Sequence, residues 1–265
     1  MHIVVCIKQI IDPEVPFHLF RIDPVTKTQV RGSHPLVISS YDEVAVEVAI
    51  QVKEKFGGQV TVVTIGSSEA LQALHQALAM GADNAVLLCD PVFEHADSFG
   101  KAFILAAALR KIGDFDLVLC GRQAGDIEMG LVGPFLAEEL GIPCVTLVAN
   151  VIAAEGGKIH LKRPIETGYE VIQASLPCLA TITNDESNIP RYASVKRLRA
   201  AMRVPIPKWS AIDLGLEPAI ISEARIQLEE IWVPKREIRC EFISGESPEE
   251  KARNLALRLR ELKLI

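Results

Sequence analysis

Apolar runs and segments of helical periodicity alternate along the first 145 residues of the chain. Four apolar runs predict buried strands, "HIVVCI", "QVTVVTIG", "NAVLLCD" and "FDLVLC", and "IPCVTLV" opens a further strand. Helices are predicted from Ser40 to Gly57, from Ser67 to Met80, and over roughly 98–111 and 129–140. Strands that alternate with helices are typical of a parallel sheet with right-handed crossovers, so we predict an α/β layered domain.

The first of these helices has a predicted start. Ser40 stands three residues before Glu43, the spacing of a capping box in which each side chain satisfies a free N–H at the helix start. Val44, Val48 and Val52 then recur at intervals of four residues and mark the apolar face. We therefore expect Ser40 to be the N-cap.

The pattern changes after Val145. The stretch up to residue 183 has short strands, a Gly-Gly turn and period-two patterning as in "KIHLKR", which predicts antiparallel strands added to the sheet or its edge. From residue 184 to 209, three prolines and a cluster of basic residues predict an exposed, irregular arm. A last helix is predicted from Ser247 as N-cap, with Pro248 in its first turn and Glu250 three residues after the cap.

Composition and charge give no indication of a nucleic-acid or membrane partner. Hydrophobic residues make up 49% and charged residues 23% of the chain, an ordinary globular balance. The formal net charge of −6 gives no reason to expect a nucleic-acid partner. The apolar start of the chain is too short for a signal-peptide core, and no run is long enough to span a membrane. We therefore expect a soluble, cytoplasmic protein with no membrane span.

The cysteines are far apart in the sequence and form no C-x-x-C pair. Several of them lie in or beside apolar runs, which favours buried, reduced thiols over metal ligands or disulfides. They are Cys6, Cys89, Cys120, Cys144, Cys178 and Cys240. We expect no metal site.

The stretch "CGRQAGDIEMGLVGP", residues 120–134, places four glycines between a predicted strand and a predicted helix. Glycine costs backbone entropy, so this cluster indicates that something approaches the main chain closely. Ligands of open α/β sheets bind at the carboxyl ends of the strands, where loop N–H groups and a helix N-terminus can hold a phosphate. Arg122 could pair with a phosphate, and Asp126 could accept a hydrogen bond from ribose or adenine. The loop is neither G-x-G-x-x-G nor a Walker A, so a nucleotide site and a structural turn both remain open.

Other predicted strand ends converge on the same edge of the sheet. They are residues 6–8 after the first strand, residues 66–68 after the second, and residues 39–42 before the first helix. Their convergence favours the nucleotide site. The histidines are scattered, and no acid–base pair or nucleophile elbow is visible, so we expect no catalytic residue and favour a carrier or binder over a hydrolase.

Six segments together resemble the beta subunit of electron transfer flavoproteins, in that family's order and at its spacing. The resemblance covers nearly the whole chain, and "GRQAGD" followed by "PRYAS" is its most specific part. The segments are "SSYDEVAVEVAIQVKEK", "ALAMGADNAV", "DLVLCGRQAGD", "VGPFLAEELGIP", "KRPIETGYEVIQASLPCLATIT" and "NIPRYASVKRLRAA".

The resemblance implies a Rossmann-like α/β fold of the adenine-nucleotide α-hydrolase kind, paired with a larger alpha subunit that carries an FAD. Members of the family bind AMP in the beta subunit, or a second FAD in the electron-bifurcating forms. The resemblance and the strand-end argument together give the expected cofactor-binding residues. They are Cys6, Ser39, Ser40, Tyr41, Asp42, Ile65, Gly66, Gly121, Arg122, Gln123, Ala124, Gly125, Asp126, Met129, Gly130, Leu131, Val132 and Gly133.

The "NIPRY" arm resembles the loop with which the family docks on a partner dehydrogenase, of the acyl-CoA dehydrogenase type or another. The expected partner-binding residues are Ser187, Asn188, Ile189, Pro190, Arg191 and Tyr192. AMP-binding members have a leucine where this chain has Ser187, so we expect Ile189 to serve as the apolar anchor. Residues 1–183 are then the nucleotide-binding domain, and residues 184–265 the recognition arm and a C-terminal extension that packs on the partner subunit.

The glycine-rich stretch departs from the AMP-binding members. Those members carry acidic and amide residues and then a threonine where this chain has "IEMGLV", residues 127–132. Backbone N–H groups must therefore do more of the binding, and the open loop at Gly130 leaves space for a pyrophosphate that continues into a flavin. We favour FAD over AMP.

Three functions remain open at this point. The first is an electron-carrying beta subunit that passes electrons between dehydrogenases and an acceptor through flavin. The second is an electron-bifurcating form that oxidises NADH at an FAD bound in this subunit. The third is a stand-alone adenine-nucleotide sensor, which the long segment after the α/β core disfavours.

Overall fold

The computed structural model describes residues 1–234 and 240–265 of the chain. They form two compact units, Met1–Glu230 and Ile231–Ile265. Each unit is described by itself below.

The first unit contains fourteen strands and six α-helices among the described residues. The strands are β1 (His2–Ile7), β2 (Gln9–Ile11), β3 (Ile22–Asp23), β4 (Thr28–Gln29), β5 (Leu36–Ile38), β6 (Gln59–Ile65), β7 (Asn84–Leu88), β8 (Leu117–Gly121), β9 (Cys144–Val148), β10 (Asn150–Glu155), β11 (Lys158–Ile165), β12 (Gly168–Ser175), β13 (Cys178–Ile182) and β14 (Lys208–Trp209). The helices are α1 (Ser40–Phe56), α2 (Leu71–Met80), α3 (Ser98–Ile112), α4 (Val132–Leu140), α5 (Val195–Ala201) and α6 (Pro218–Ser222). Short 3-10 helices cover Phe17–Leu19, Ser68–Ala70, Pro91–Phe93 and Glu186–Asn188.

The main sheet has seven strands in the order β14-β7-β6-β1-β8-β13-β9, and every neighbouring pair is parallel. The chain runs outward from β1 to β6 and β7, and then crosses back to β8 on the other side of β1. This confirms the predicted parallel α/β fold. It also places the reversal of strand order between β1 and β8, where α/β proteins bind their ligands.

Helices cover both faces of this sheet. Alternate β1 residues face opposite sides, so that Ile3 and Val5 pack with α1 and α2, whereas Val4 and Cys6 pack with α3 and α4. Such two-sided burial explains why the strands read as continuous apolar runs. Because helices cover both faces, charged groups of the sheet region lie at the ends of the strands.

The start of α1 differs from the predicted capping box. The N-cap is Ser39, and its side chain makes no capping hydrogen bond. The Ser39 hydroxyl instead accepts from the N–H of Gly125, and Glu43 accepts from the side chain of Gln76. Of the two predicted capping groups, Ser40 is an exposed residue at the start of α1, and Glu43 is used by a tertiary contact, which the local spacing could not reveal.

The region 145–183 also differs from the expectation. β10, β11 and β12 form a separate three-stranded antiparallel sheet, joined at its first turn by Gly156 and Gly157 with positive φ angles of 58° and 72°. β13 is not antiparallel: it enters the main sheet between β8 and β9 in parallel. All five residues of β13 are buried, which suits a central strand.

Three further predictions need correction. α4 begins at Val132 rather than at residue 129, because Gly130 has a φ of 64° and cannot lie within a right-handed helix. The arm is irregular only up to Ser194, after which α5 forms with Ser194 as its N-cap. Of the cysteines, Cys144 and Cys240 are exposed rather than buried, although all six are free thiols.

The second unit consists of irregular chain and α7 (Pro248–Glu261) within its described residues. Ser247 caps α7, and its hydroxyl accepts from the N–H of Glu250 at 3.2 Å. The predicted cap is thus confirmed. Among the described residues, we find no helix whose length and hydropathy would let it cross a membrane.

Candidate functional site

The carboxyl ends of β1 and β8 lie side by side, with Cys6 paired in register with Cys120. From the end of β8 runs the glycine loop, which we define as residues 121–133. The N-terminus of α1 lies against the same edge, because Asp42 contacts the ends of both strands. We call this edge, formed by the glycine loop and residues 6–8 and 39–42, the rim.

Asp42 ties the rim together. Its Oδ1 accepts from the N–H of Gly121 at 2.9 Å, and its Oδ2 accepts from the N–H of Lys8 at 2.8 Å. The side chain is buried, and this burial raises the pKa of Asp42 from 3.8 to about 7, although the two N–H donors oppose the shift. One carboxyl group therefore fixes the spacing of two strand ends.

Two glycines of the loop are required by internal packing. A Cβ on Gly121 would lie 2.4 Å from Oδ1 of Asp42, and a Cβ on Gly133 would lie 2.7 Å from Cγ2 of Thr181. The group that approaches the main chain closely at Gly121 is therefore the protein's own carboxyl. Gly130 differs, because its φ of 64° is the left-handed conformation that other residues adopt only with strain.

A row of backbone N–H groups lines the second half of the loop. Within the described residues, the N–H groups of residues 129–133 form no hydrogen bond. Those of Val132 and Gly133 belong to the first turn of α4, where helical N–H groups have no partner in their own helix. Free N–H groups together with a helix N-terminus form an environment that favours an anion.

The first half of the loop is held by side chains from other elements. The N–H of Gly125 donates to Ser39 at 3.1 Å, and the ammonium of Lys8 pairs with Asp126 at 2.6 Å. The N–H of Arg122 donates to the carbonyl of Ile182. These contacts anchor the loop from Arg122 to Asp126 and leave its second half with fewer internal bonds.

Arg122 is part of the rim, and one of its hydrogen-bond donors has no partner in the described part of the chain. Its guanidinium stacks on the ring of Tyr41 at 4.6 Å, and its Nη1 donates weakly to Thr183 at 3.4 Å. Its Nε is buried and has no hydrogen-bond partner among the described residues. A buried donor without an acceptor is costly, so this atom points to a group that is supplied from outside the chain.

The remaining expected cofactor residues fall around the same edge. Cys6 is buried in the floor, and its thiol contacts that of Cys120, which with burial raises the pKa of Cys120. Ile65 ends β6, next to β1, and Gly66 follows it. The structure therefore brings the sequence-predicted residues to one end of the sheet. Those not yet described are Ser40, Gln123, Ala124, Met129, Leu131 and Val132, all outside the buried core.

The structure adds Lys101, which the sequence analysis missed. It lies in the first turn of α3, and burial followed by the charge of Lys8 lowers its pKa, with Asp126 and Asp97 acting in the opposite direction. Its ammonium has no hydrogen bond or ion pair among the described residues. The signal available in the sequence was a cation in a first helical turn, where the helix dipole disfavours it.

The arm is attached to α1 by an ion-pair cluster. Arg191 donates from its backbone N–H and its guanidinium to Glu47, and also from its guanidinium to Glu54. Although burial opposes it, these bonds lower the pKa of Glu47, whose side chain is only 4% exposed. Asn188 is buried and donates to the carbonyls of Ala149 and Thr183.

Other arm residues project from this anchored base. The exposed fraction of Ile189 is 74%, and Tyr192 is fully exposed. Ser187 is exposed and its hydroxyl donates a hydrogen bond to the carboxylate of Asp185, while Pro190 is half-buried. The six expected partner-binding residues therefore divide into anchors, Asn188 and Arg191, and residues that are open to a partner.

The parallel sheet and the loop at its reversal point define a Rossmann-like α/β protein. The chain matches the family described as the electron transfer flavoprotein domain over residues 27–214. It therefore belongs to the electron transfer flavoprotein family, as a beta subunit. Members of this family generally bind flavin and AMP, and a beta subunit implies an alpha subunit.

Three relatives carry this assignment. The electron transfer flavoprotein subunit beta of Thermoanaerobacterium thermosaccharolyticum is 46% identical over 196 residues, which cover 74% of this chain and 73% of the relative. The caffeyl-CoA reductase-Etf complex subunit CarD of Acetobacterium woodii is 38% identical over 268 residues and covers all of both chains. Protein FixA of Azorhizobium caulinodans is 41% identical over 223 residues, 82% of this chain and 78% of the relative.

Proposed function

We propose that the rim holds the phosphate-bearing part of an adenine nucleotide, and that the chain thereby serves as the nucleotide-binding beta subunit of an electron-carrying heterodimer. The observation that carries this proposal is the row of N–H groups at residues 129–133, which have no hydrogen-bond partner within the described chain. Such a row stabilises phosphate oxygens without needing a cationic side chain.

The residues present fit a nucleotide. The buried Nε of Arg122 lacks an acceptor beside the rim, and a phosphate or ribose oxygen would supply one. Gly130 exposes its backbone next to Met129 and Leu131, which are partly open to solvent. The expected cofactor-binding residues are proposed on this basis, with Asp42 and Ser39 shaping the loop.

The proposed nucleotide is FAD, with AMP as the alternative. The support for FAD is the open second half of the loop, where no side-chain hydroxyl or cation from residues 127–132 blocks or caps the phosphate position. A bound flavin would supply the electron-transfer chemistry. The chain itself would bind the phosphates, orient the adenosine half, and exclude water from the floor at Cys6.

The proposed partners are an alpha subunit that carries its own FAD, and a dehydrogenase. The exposed Ile189 and Tyr192 support docking through the arm, with Ile189 as the apolar anchor. One relative is named as part of a caffeyl-CoA reductase-Etf complex, which supports a reductase or dehydrogenase as the class of partner. We also propose that residues 184–265 act as the recognition arm and as an extension that packs on the alpha subunit. A cytoplasmic location of the complex is proposed as well.

The identity of the nucleotide can be tested on the purified complex with its alpha subunit. Denaturation releases the bound nucleotides, which chromatography then identifies and counts. The proposal expects one adenine nucleotide in this subunit in addition to the FAD of the alpha subunit. Two FAD per heterodimer that are bleached by NADH would support the electron-bifurcating form, whereas one FAD and one AMP would reject it.

A pair of glycine variants ties the nucleotide to the rim. Gly130→Leu places a side chain in the loop, whereas Gly156→Leu imposes a similar positive-φ strain on a turn with open space around it. We expect the first variant to lose its beta-bound nucleotide and the second to retain it. Equal nucleotide content in both variants would contradict the site.

A further inference from the structure

The glycine loop brings more negative charge than positive charge to the proposed phosphate position. Between residues 126 and 131 its ionisable side chains are Asp126 and Glu128, and none of these six residues is a cation. An anionic ligand would be repelled by these carboxylates unless cations lie nearby. Cations near this stretch of the loop would therefore favour the binding of a phosphate.

Two of the nearby cations, Lys8 and Arg122, interact with other residues of the chain. Lys8 is paired with Asp126 at 2.6 Å, so its charge neutralises the loop's own carboxylate. The guanidinium of Arg122 stacks on Tyr41 and points one donor at Thr183. Lys8 therefore brings no unpaired charge to the ligand, whereas Arg122 has no ion pair among the described residues and supplies one cation.

Lys101 is unpaired within the described residues. The carboxylate closest to it in sequence, Asp97, accepts instead from the N–H groups of Gly100, Arg225 and Ile226. Lys101 is also half-buried, and burial and Lys8 both act to lower its pKa. The charges of Asp126 and Asp97 oppose this shift, but neither carboxylate forms an ion pair with Lys101. A half-buried ammonium without a paired anion is unfavourable, so a bound anion would stabilise it.

The topology places Lys101 at the rim. α3 follows β7 and crosses back over the sheet to β8, so its N-terminal turn lies at the carboxyl edge, where the rim is. The charges of Lys8 and Asp126, both residues of the rim, also act on the pKa of Lys101. A Lys held at this edge would face the glycine loop across the β1–β8 crevice.

We propose that Lys101 is a nucleotide-binding residue whose ammonium pairs with a phosphate of the nucleotide at the rim. This inference rests on the proposed function, because it requires a phosphate-bearing ligand at that edge. It adds a direct charge contact from α3 to the backbone contacts from the glycine loop. The loop would then set the position of the phosphate, and Lys101 would supply a second cation, in addition to Arg122, that offsets the charge of Glu128.

The test compares nucleotides with and without phosphate. The dissociation constants of AMP, FAD and adenosine are measured on the alpha–beta complex depleted of bound nucleotide. The variants are Lys101→Met, Lys101→Arg and, as a matched control, Lys158→Met at an exposed lysine of β11. Removing a hydrogen bond to a charged group should weaken the phosphate-bearing ligand about ten- to hundredfold in Lys101→Met.

The expected pattern is specific to phosphate. Lys101→Met should leave adenosine binding unchanged, Lys101→Arg should retain most of the affinity for AMP or FAD, and Lys158→Met should match the wild type. Equal affinity of wild type and Lys101→Met for AMP and FAD would overturn the inference, as would an equal loss for adenosine, which would indicate a packing effect. If Gly130→Leu releases the nucleotide while Lys101→Met does not, the proposed function stands and this inference fails. A wild-type complex that binds neither AMP nor FAD would overturn both.

Discussion

The glycines at the rim are required for different physical reasons. Gly121 and Gly133 have no room for a side chain because Asp42 and Thr181 occupy the space, whereas Gly130 has a backbone conformation that disfavours side chains. Only Gly130 is therefore suited to a test of ligand binding that leaves the packing of the sheet intact.

The packing role of Gly133 can be tested by a rescue. Gly133→Ala should destabilise the protein by about 1–3 kcal/mol, the usual cost of overpacking. Thr181→Ser removes the Cγ2 that the new Cβ would meet at 2.7 Å, and keeps the hydroxyl that accepts from the N–H of Leu147. The double variant should therefore recover much of the loss in a denaturant titration. Additive losses in the double variant would show that Gly133 is not limited by this contact.

The raised pKa of Asp42 predicts a pH dependence of stability. Because its pKa is about 7 in the folded protein and 3.8 ordinarily, the folded state holds the proton more tightly. The stabilisation from this group is complete below about pH 4 and is lost as the pH rises towards 7. The free energy of unfolding of the wild type relative to Asp42→Asn should therefore fall between these two pH values.

The control for this prediction is a variant at an exposed acid. Glu186→Gln removes an exposed carboxyl that makes no side-chain contact among the described residues. Its stability should run parallel to that of the wild type over the same pH range. A constant difference between wild type and Asp42→Asn would mean that Asp42 does not titrate there.

Individual residues at the rim were predictable only where a motif marks them. The glycine loop and Arg122 are visible in the sequence because four glycines separate a strand from a helix. The pairing of Lys8 with Asp126 joins residues far apart in the chain, and Lys101 lies inside an ordinary helical pattern. Such side-chain partners depend on the three-dimensional crossing of elements, which no local pattern contains.

At the scale of elements, the arm is held by α1 rather than left free. Glu47 is nearly fully buried and receives three hydrogen bonds from Arg191. We therefore expect the exposed Ile189 and Tyr192 to be presented from a fixed base. A preorganised arm loses less conformational entropy when a partner binds.

Breaking this ion pair should loosen the arm selectively. Arg191→Gln leaves the carboxylate of Glu47 buried without its cation, which should cost about 2–3 kcal/mol, below the value for fully buried pairs because Arg191 is partly exposed. Hydrogen exchange of residues 185–194 should accelerate, while exchange in the main sheet stays slow. The control is Arg199→Gln, an exposed cation on α5 without a partner among the described residues. Uniform acceleration over the whole first unit would contradict a local role.

The elements themselves were largely predictable, and the exceptions share a cause. Strands β1, β6, β7 and β8 were predicted because burial on both faces gives an apolar run. The pattern could not show that β13 returns to the centre of the parallel sheet, because a short apolar strand carries no information about its neighbours or direction. The predicted capping box of Ser40 and Glu43 failed for a similar reason, since the N-cap is one residue earlier at Ser39, whose hydroxyl binds Gly125, and Glu43 binds Gln76.

At the scale of the whole molecule, the proposed nucleotide site lies where the strand order of the main sheet reverses. The crossing from β7 back to β8 leaves the carboxyl ends of β1 and β8 uncovered by a crossover helix, and the glycine loop and α1 close around them. A ligand held there contacts elements that are distant in sequence. Binding should therefore stabilise the first unit as a whole.

This expectation gives a prediction for thermal stability. A ligand at about 100 times its dissociation constant adds about 2.7 kcal/mol to the free energy of unfolding by mass action. Adding the released nucleotide back to depleted complex should raise the melting temperature, and Gly130→Leu should abolish the increase while Gly156→Leu retains it. An equal increase in both variants would place the binding site elsewhere.

The central claim is that backbone N–H groups of the glycine loop hold a nucleotide phosphate, and amide chemical shifts test it most directly. Amide spectra of the isotope-labelled chain are recorded with AMP, with FAD and with adenosine. The account predicts large shifts of the N–H resonances of residues 129, 130, 131, 132 and 133 with either phosphate-bearing ligand, and small shifts there with adenosine. Unchanged resonances at those five residues, with shifts confined to another part of the chain, would contradict it.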